Sequence, residues 1–309
     1  MKIKKTSQLV IDNIKDINFD IILSSSGYES RSKYLCETYQ LYANKKVVLG
    51  FDNYTELPSR KTNDLAFKIA GYESILCSGD SEKEVFDSLN FLLELKKDSI
   101  NILVDYSSMT RIWYAAVLKF IMLNDLSRSA VNIFFSYSFS EFAFPPDEHS
   151  FNRHVGPIEG FYQISIPDRP TAVIIGLGYV ESRAYGLAEY FDVEPHLFIA
   201  DSSVSDDYYN HVILNNSDLL KTVKNDNVFI YPLDNMIYTE TLVSHLCGEL
   251  KNKYRIVLAP CGPKPFTLLC LVTALRNNFV DVWRISAGVG EQPTDKKASG
   301  KILIYCICF

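Results

Sequence analysis

No apolar run in these 309 residues approaches the roughly 18–20 consecutive residues that a membrane span requires, so a membrane-spanning helix is not expected. The basic start, Met1-Lys-Ile-Lys-Lys, gives way to a stretch from Ser7 to Asp20 that alternates polar and apolar residues. It lacks the uninterrupted apolar core of a signal peptide, and a cytoplasmic protein with no membrane partner is expected. Basic excess is missing too. Thirty-one Lys and Arg stand against 37 Asp and Glu, a net charge of −6, so there is no general attraction for a polyanion. Duplex nucleic acid is excluded as the primary ligand, while a local basic pocket for a small anion stays open. Histidine is scarce, with five residues (His149, His154, His196, His211 and His245), and no pair has the spacing of a zinc motif. No metal and no cofactor are expected. Seven cysteines, an odd number at irregular spacing, do not form a disulfide framework; Cys306 and Cys308 read as one face of a strand.

What is present is an ordinary globular composition, 47% hydrophobic and 22% charged, at a length that suits two domains or one large one. The chain order repeats. Phe19-Asp-Ile-Ile-Leu-Ser runs into Gly27-Tyr28-Glu29-Ser30-Arg31, and Ala172-Val-Ile-Ile-Gly176 runs into Gly178-Tyr179-Val180-Glu181-Ser182-Arg183. GYESR and GYVESR differ by one inserted residue. Five further apolar runs pair in the same order: 46–52 with 196–201, 73–80 with 228–234, 101–105 with 255–259, 131–135 with 282–286 and 160–166 with 301–307. All offsets lie between 141 and 155, which indicates a duplicated domain.

In each half, runs of strand length alternate with segments that carry apolar residues every three or four positions: Ser32–Leu41, Leu65–Ala70, Lys83–Leu95 and Trp113–Leu123 in the first half. That alternation predicts βαβ crossovers and a parallel sheet with helices on both faces. The last two runs of each half have no helix between them, which predicts an antiparallel hairpin at the sheet edge. The expected architecture is α/β: two tandem Rossmann-like units, 1–168 and 169–309, with the boundary near Pro167-Asp-Arg-Pro170. The long hairpin loops would be 144–160 and 288–300.

Ligands of open α/β sheets bind beyond the carboxyl ends of the strands, so the loops after the first and fourth strands carry the candidates. The first-strand loops hold Ser26, Gly27, Tyr28, Glu29 and Arg31, and in the second half Gly178, Tyr179, Glu181 and Arg183. Glycine admits close backbone approach, and the N–H groups opening a helix attract an anion. A plainer reading also stands: Glu complements a helix dipole, and Ser30 or Ser182 serves as a cap. Gly176-Leu-Gly-Tyr-Val-Glu181 begins like a dinucleotide fingerprint, but Glu181 occupies the place of its last glycine. The fourth-strand loops are Asp105-Tyr106-Ser107-Ser108-Met109-Thr110-Arg111 and Ala259-Pro260-Cys261-Gly262-Pro263-Lys264. Small residues, exposed N–H groups and one cation entering a helix make a phosphate cradle, or else an ordinary cap with a solvated Arg111. Cys261 is expected at a helix N-terminus, where thiolates are favoured.

These turns resemble the strand-four signature of CARF-type Rossmann domains, and the tandem layout over about 19–166 and 171–309 resembles the SAVED arrangement, which fuses two CARF-like units. Ser107-Ser108-Met109 stands where the family has Gly-Gly-Thr, which leaves the ligand's identity open. The resemblance implies an intramolecular pseudo-dimer that senses a cyclic nucleotide or oligonucleotide in prokaryotic antiviral defence. Ser107, Thr110, Arg111, Gly262 and Lys264 would touch the ligand. The two units use nearly the whole sequence, so output would pass to a separate effector protein or through self-association. Two alternatives stay open. One is a nucleotide-processing enzyme, a ring nuclease or a nucleoside or NAD glycosidase, with Glu29, Glu181 or Asp105 as base or nucleophile. The other is a ligand-free adaptor whose aromatic cluster Phe134–Phe139 marks an interface.

Overall fold

The computed structural model describes residues 1–126, 129–144, 154–164, 168–286 and 294–309. The chain divides into two compact units, Met1–Ala143 with Pro293–Phe309, and Phe144–Gln292.

Unit 1 runs β1 (Lys5–Leu9), β2 (Asn18–Ser26), α1 (Tyr34–Thr38), β3 (Tyr42–Phe51), α2 (Pro58–Ile69), β4 (Glu73–Cys77), α3 (Lys83–Leu89), β5 (Ser99–Asp105), α4 (Arg111–Leu123) and β6 (Ala130–Ser140). Unit 2 runs β7 (His154–Pro157), β8 (Thr171–Gly176), α5 (Arg183–Phe191), β9 (His196–Ala200), α6 (Asp206–Asn215), α7 (Ser217–Thr222), β10 (Val228–Tyr231), α8 (Met236–Leu250), β11 (Arg255–Pro260), α9 (Lys264–Arg276) and β12 (Val280–Ser286). A final strand, β13 (Ala298–Cys308), belongs to unit 1.

The architecture is α/β, with two mostly parallel sheets. The central strands are near-continuous apolar runs because both faces of a parallel sheet are covered: Ile21, Ile22 and Leu23 of β2 and Val173, Ile174 and Ile175 of β8 have no exposed surface. Local chemistry starts the helices between them. Pro58 opens α2, where its missing N–H costs nothing, and Thr110, Ser205 and Asn235 accept N–H bonds as side-chain caps of α4, α6 and α8.

The strand orders are β1-β13-β6-β5-β2-β3-β4 and β10-β9-β8-β11-β12-β7. In both sheets the five parallel strands lie in the order third, second, first, fourth, fifth. Chain direction across the sheet therefore reverses between the first strand and the fourth, at β2/β5 and at β8/β11. The crevice at such a reversal is where open α/β sheets hold ligands.

The terminal hairpins are not formed as the sequence suggests. β6 pairs antiparallel with β13, from the far end of the chain, and β12 pairs antiparallel with β7. The outer strands are thus exchanged between the two halves, and the compact units divide the chain at 143/144 and 292/293 rather than at 168/169. The physical reason is connection length. Segments 141–153 and 287–297 are too long for the tight turns that lock neighbouring strands into a hairpin, so each strand pairs where its register and apolar face fit. Of the strand expected at 160–166, Gly160 instead has φ +86 and Phe161 N–H closes a turn onto Ile158 O at 3.0 Å; 165–167 lie outside the described residues. So do 145–153 and 288–293 of the two expected loops, and Pro167 of the expected boundary. The N-terminal alternation contributes an unforeseen strand, β1, which pairs with β13.

Candidate functional site

In unit 1 the carboxyl ends of β2, β5 and β6 carry a buried polar network. Arg31, 2% exposed, is its centre. Its Nε donates to Glu29 Oε2 at 3.0 Å, Nη2 lies 2.9 Å from the same oxygen, and Nη1 donates to Tyr137 OH at 3.0 Å and Ser138 O at 3.2 Å. Burial alone would push this guanidinium's pKa down. The Glu29 carboxylate, and then Tyr137, outweigh it and hold the pKa above its ordinary value. Glu29 also accepts from Ser108 Oγ at 3.1 Å, and Lys296 Nζ lies 3.4 Å from its Oε1.

The fourth-strand loop closes the circuit. Ser107 donates from both N–H and Oγ to Asp105 Oδ1, and Ser107 Oγ accepts the N–H of Ser138 at 2.8 Å. Burial, and then the Asp105 carboxylate, push the nearby Cys36 thiol up to about 12. Four more hydroxyls, Ser25, Ser32, Ser136 and Ser138 Oγ, are buried without a hydrogen-bond partner.

The structure therefore brings together Glu29, Arg31, Asp105, Ser107 and Ser108. The other expected residues of unit 1 have separate partners. Ser26 Oγ donates to Asp64 Oδ1 at 2.6 Å, Gly27 packs under the Phe51 ring, and Tyr28 meets Tyr54 edge-on at 5.7 Å. Thr110 Oγ1 donates to Gly79 O at 2.7 Å while capping α4, and Arg111 is half-buried at the first position of that helix. Ser30 does not cap a helix; its N–H and Oγ donate to Asp295 at 2.7 and 2.6 Å.

In unit 2 the matching loops meet through their backbones. A Cβ on Gly178 would lie 2.3 Å from Cys261 O, and one on Gly262 would lie 2.2 Å from Leu177 O, so the two loops are closed backbone on backbone. Glu181 is exposed, Arg183 is buried at the start of α5, and Ser182 takes φ +59 without a capping bond. Tyr179 packs on Tyr208 at 5.7 Å. Lys264 is half-buried at the first position of α9. Cys261 is not at a helix N-terminus. Pro263 takes the cap position of α9, and the Cys261 thiol turns toward Ala259 O at 3.8 Å inside the apolar core.

Several residues of the network are not singled out by the sequence. Asn63 Nδ2 donates to Gly27 O at 2.9 Å and Glu29 O at 3.0 Å, and Asn216 Nδ2 donates to Gly178 O at 2.9 Å. The two asparagines are themselves 153 positions apart, so the repeat offset is the signal that could find them. Arg60 is buried, chelates Asp64 through Nε at 2.9 and 3.0 Å, and donates to Phe51 O at 2.5 Å. Tyr137 and Ser138 fall within the stretch read as a possible interface, and Asp295 and Lys296 within the loop assigned to the second half.

A groove of about 310 Å³ in unit 2, lined by residues including Tyr185, Glu189, Asp192, Glu194 and Val223, opens at the amino end of β9, away from the carboxyl ends of the strands. Among the described residues no three His, Cys, Asp or Glu side chains converge as a metal site, and no helix is long and apolar enough to cross a membrane.

No family model and no curated protein matches the chain. Among solved structures, the cytoplasmic domain of a prokaryotic cation chloride cotransporter matches at 12% identity and a TM-score of 0.25, covering 89% of this chain and 98% of that one. A universal stress protein from Archaeoglobus fulgidus DSM 4304 matches at 11% identity and a TM-score of 0.26, covering 91% and 97%. Neither likeness bears on what this chain does.

Proposed function

We propose that this chain is a nucleotide-binding sensor, taking a small cyclic nucleotide or oligonucleotide at the carboxyl edge of unit 1 and signalling to a separate effector protein of a prokaryotic defence system. The tandem repeats would work as an intramolecular pseudo-dimer, as the CARF and SAVED resemblance implies, with the ligand chemistry retained in unit 1. One observation carries the reading. The polar residues of the first-strand and fourth-strand loops, Glu29, Arg31, Asp105, Ser107 and Ser108, are gathered into a buried network at the strand-order reversal of unit 1. Besides Arg31, Lys296 lies beside Glu29 at that edge, and Arg111 opens the helix that follows the fourth-strand loop.

The enzymatic alternative is less well supported. Glu29 Oε2 is taken by Arg31 and Ser108, and Asp105 Oδ1 by Ser107, so both carboxylates serve the loops' architecture.

Calorimetric titration with cyclic di-, tri- and tetra-adenylate and other cyclic dinucleotides tests the proposal. The expected result is one nucleotide per chain, recovered unchanged on chromatography, with affinity reduced about tenfold or more by Arg111→Ala, the loss of one charge-assisted contact. Absence of heat with every nucleotide would overturn the reading.

A further inference from the structure

The candidate site of unit 1 is shut. Arg31, Asp105 and Ser107 are at most 2% exposed and Glu29 is 9% exposed. A ligand-binding unit needs a way to open, and one segment lies across the first-strand loop. Arg31 N–H donates to Lys296 O at 3.0 Å, Ser30 gives its N–H and hydroxyl to the two oxygens of Asp295, and Lys296 Nζ reaches Glu29. Further along, Glu141 N–H donates to Lys297 O at 2.9 Å and Tyr34 OH to Gly300 O at 3.3 Å.

Three features of this segment belong to a moving part. First, none of residues 294–300 is buried, so polar ties hold it and no apolar side chain anchors it. Segments with exposed hydrogen bonds and little apolar burial are the first to open. Second, Gly300 sits at φ +88, which glycine adopts without strain, and the β6–β13 register is irregular between Ala298 and Ile302. Third, Leu303 to Ile307 are buried, so the strand is fixed just beyond that point.

We infer that residues 294–300 are a strap that closes the candidate site of unit 1 and swings about Gly300 to admit the ligand. The inference rests on reading unit 1 as the ligand-binding unit. Opening breaks the Lys296–Glu29 ion pair, the exposed Ser30–Asp295 bonds, and the backbone bonds that Arg31 and Glu141 donate to Lys296 O and Lys297 O. It frees the Ser30 donors and the Lys296 ammonium together. In the closed form the Asp295 carboxylate occupies donors that an anionic ligand would use, so the chain's own side chain competes with the ligand and sets the concentration at which it binds.

Hydrogen exchange on the full chain, followed by mass spectrometry, tests the strap without any ligand. In Asp295→Ala, and more so in Ser30→Ala/Asp295→Ala, the amides of 29–31 and 105–108 should exchange about tenfold faster, while Leu303–Ile307 keep their protection. Unchanged exchange at 105–108 overturns the strap. So does an increase extending equally through Leu303–Ile307, which marks the segment as ordinary structural support. With cyclic tetra-adenylate as probe, the association rate should rise about tenfold in Asp295→Ala, and an unchanged rate also counts against the strap. Because exchange is read on the protein alone, a chain that opens as described but binds no nucleotide refutes the sensor reading and not the strap.

Discussion

Arg31 and Glu29, two residues apart in one loop, form a buried ion pair in which guanidinium Nε and Nη2 both converge on the single oxygen Oε2, at 3.0 and 2.9 Å. A buried pair of this kind adds little over an apolar replacement, but removing one partner strands the other charge. Arg31→Met should therefore cost about 3–5 kcal/mol. Glu29→Gln/Arg31→Met should cost clearly less than the sum of the two single changes. Urea unfolding of the four proteins measures the coupling, and strict additivity would show that the two side chains do not depend on each other.

The glycines of the two units should answer substitution differently. Gly178→Ala and Gly262→Ala place a methyl within 2.3 and 2.2 Å of backbone oxygens, which can yield only by separating the loops. Overpacking of that kind costs about 1–3 kcal/mol. At Gly27 the added carbon meets the Phe51 ring at 3.1 Å, where a side chain can turn aside, so Gly27→Ala should stay within about 1 kcal/mol of wild type. Denaturation midpoints of the three variants test the order, and an equal loss at all three would contradict it.

His196 gives the chain a specific acid sensitivity. Burial, opposed by Glu194, holds its imidazole below the ordinary value of 6.5, and its Nδ1 is buried without a hydrogen bond. The unfolded chain takes up the proton first, so stability is intact above about pH 6.5 and falls as the pH drops toward the lower folded value. His196→Phe, which keeps the stacking on Phe229, should flatten this part of the profile. The check is the difference in melting temperature between pH 7 and pH 5 in both proteins; identical slopes would remove His196 from the account.

Much of the fold is written locally. The apolar runs, the helical spacing and the recurring Gly-Tyr-Glu-Arg loop lead to the parallel strands and to the edge where the polar network lies, because each is decided within a few residues. Strand exchange is not local. Whether β6 pairs with 160–166 or with β13 depends on which free edge its register fits, and nothing within Ala130–Ser140 encodes that choice. Cys261 departs from its expected helix N-terminus for a backbone reason: with Pro260, Pro263 and Pro265 around it, the helix starts at Lys264 and leaves the thiol in the preceding turn. Asp295 and Lys296 read as loop residues, and only the folded chain brings them to Ser30 and Glu29.

The position of β13 also constrains how the protein can be made. It stands between β1 and β6, inside the first sheet, yet it follows all of Phe144–Gln292 in the chain. Unit 1 therefore cannot finish folding as its own first half leaves the ribosome; β6 waits with an open edge until the whole of unit 2 has been translated. Ordinary domain-by-domain maturation is closed to this chain, and the exposed aromatic edge of Phe134–Phe139 is the surface a chaperone would have to shield in the interval.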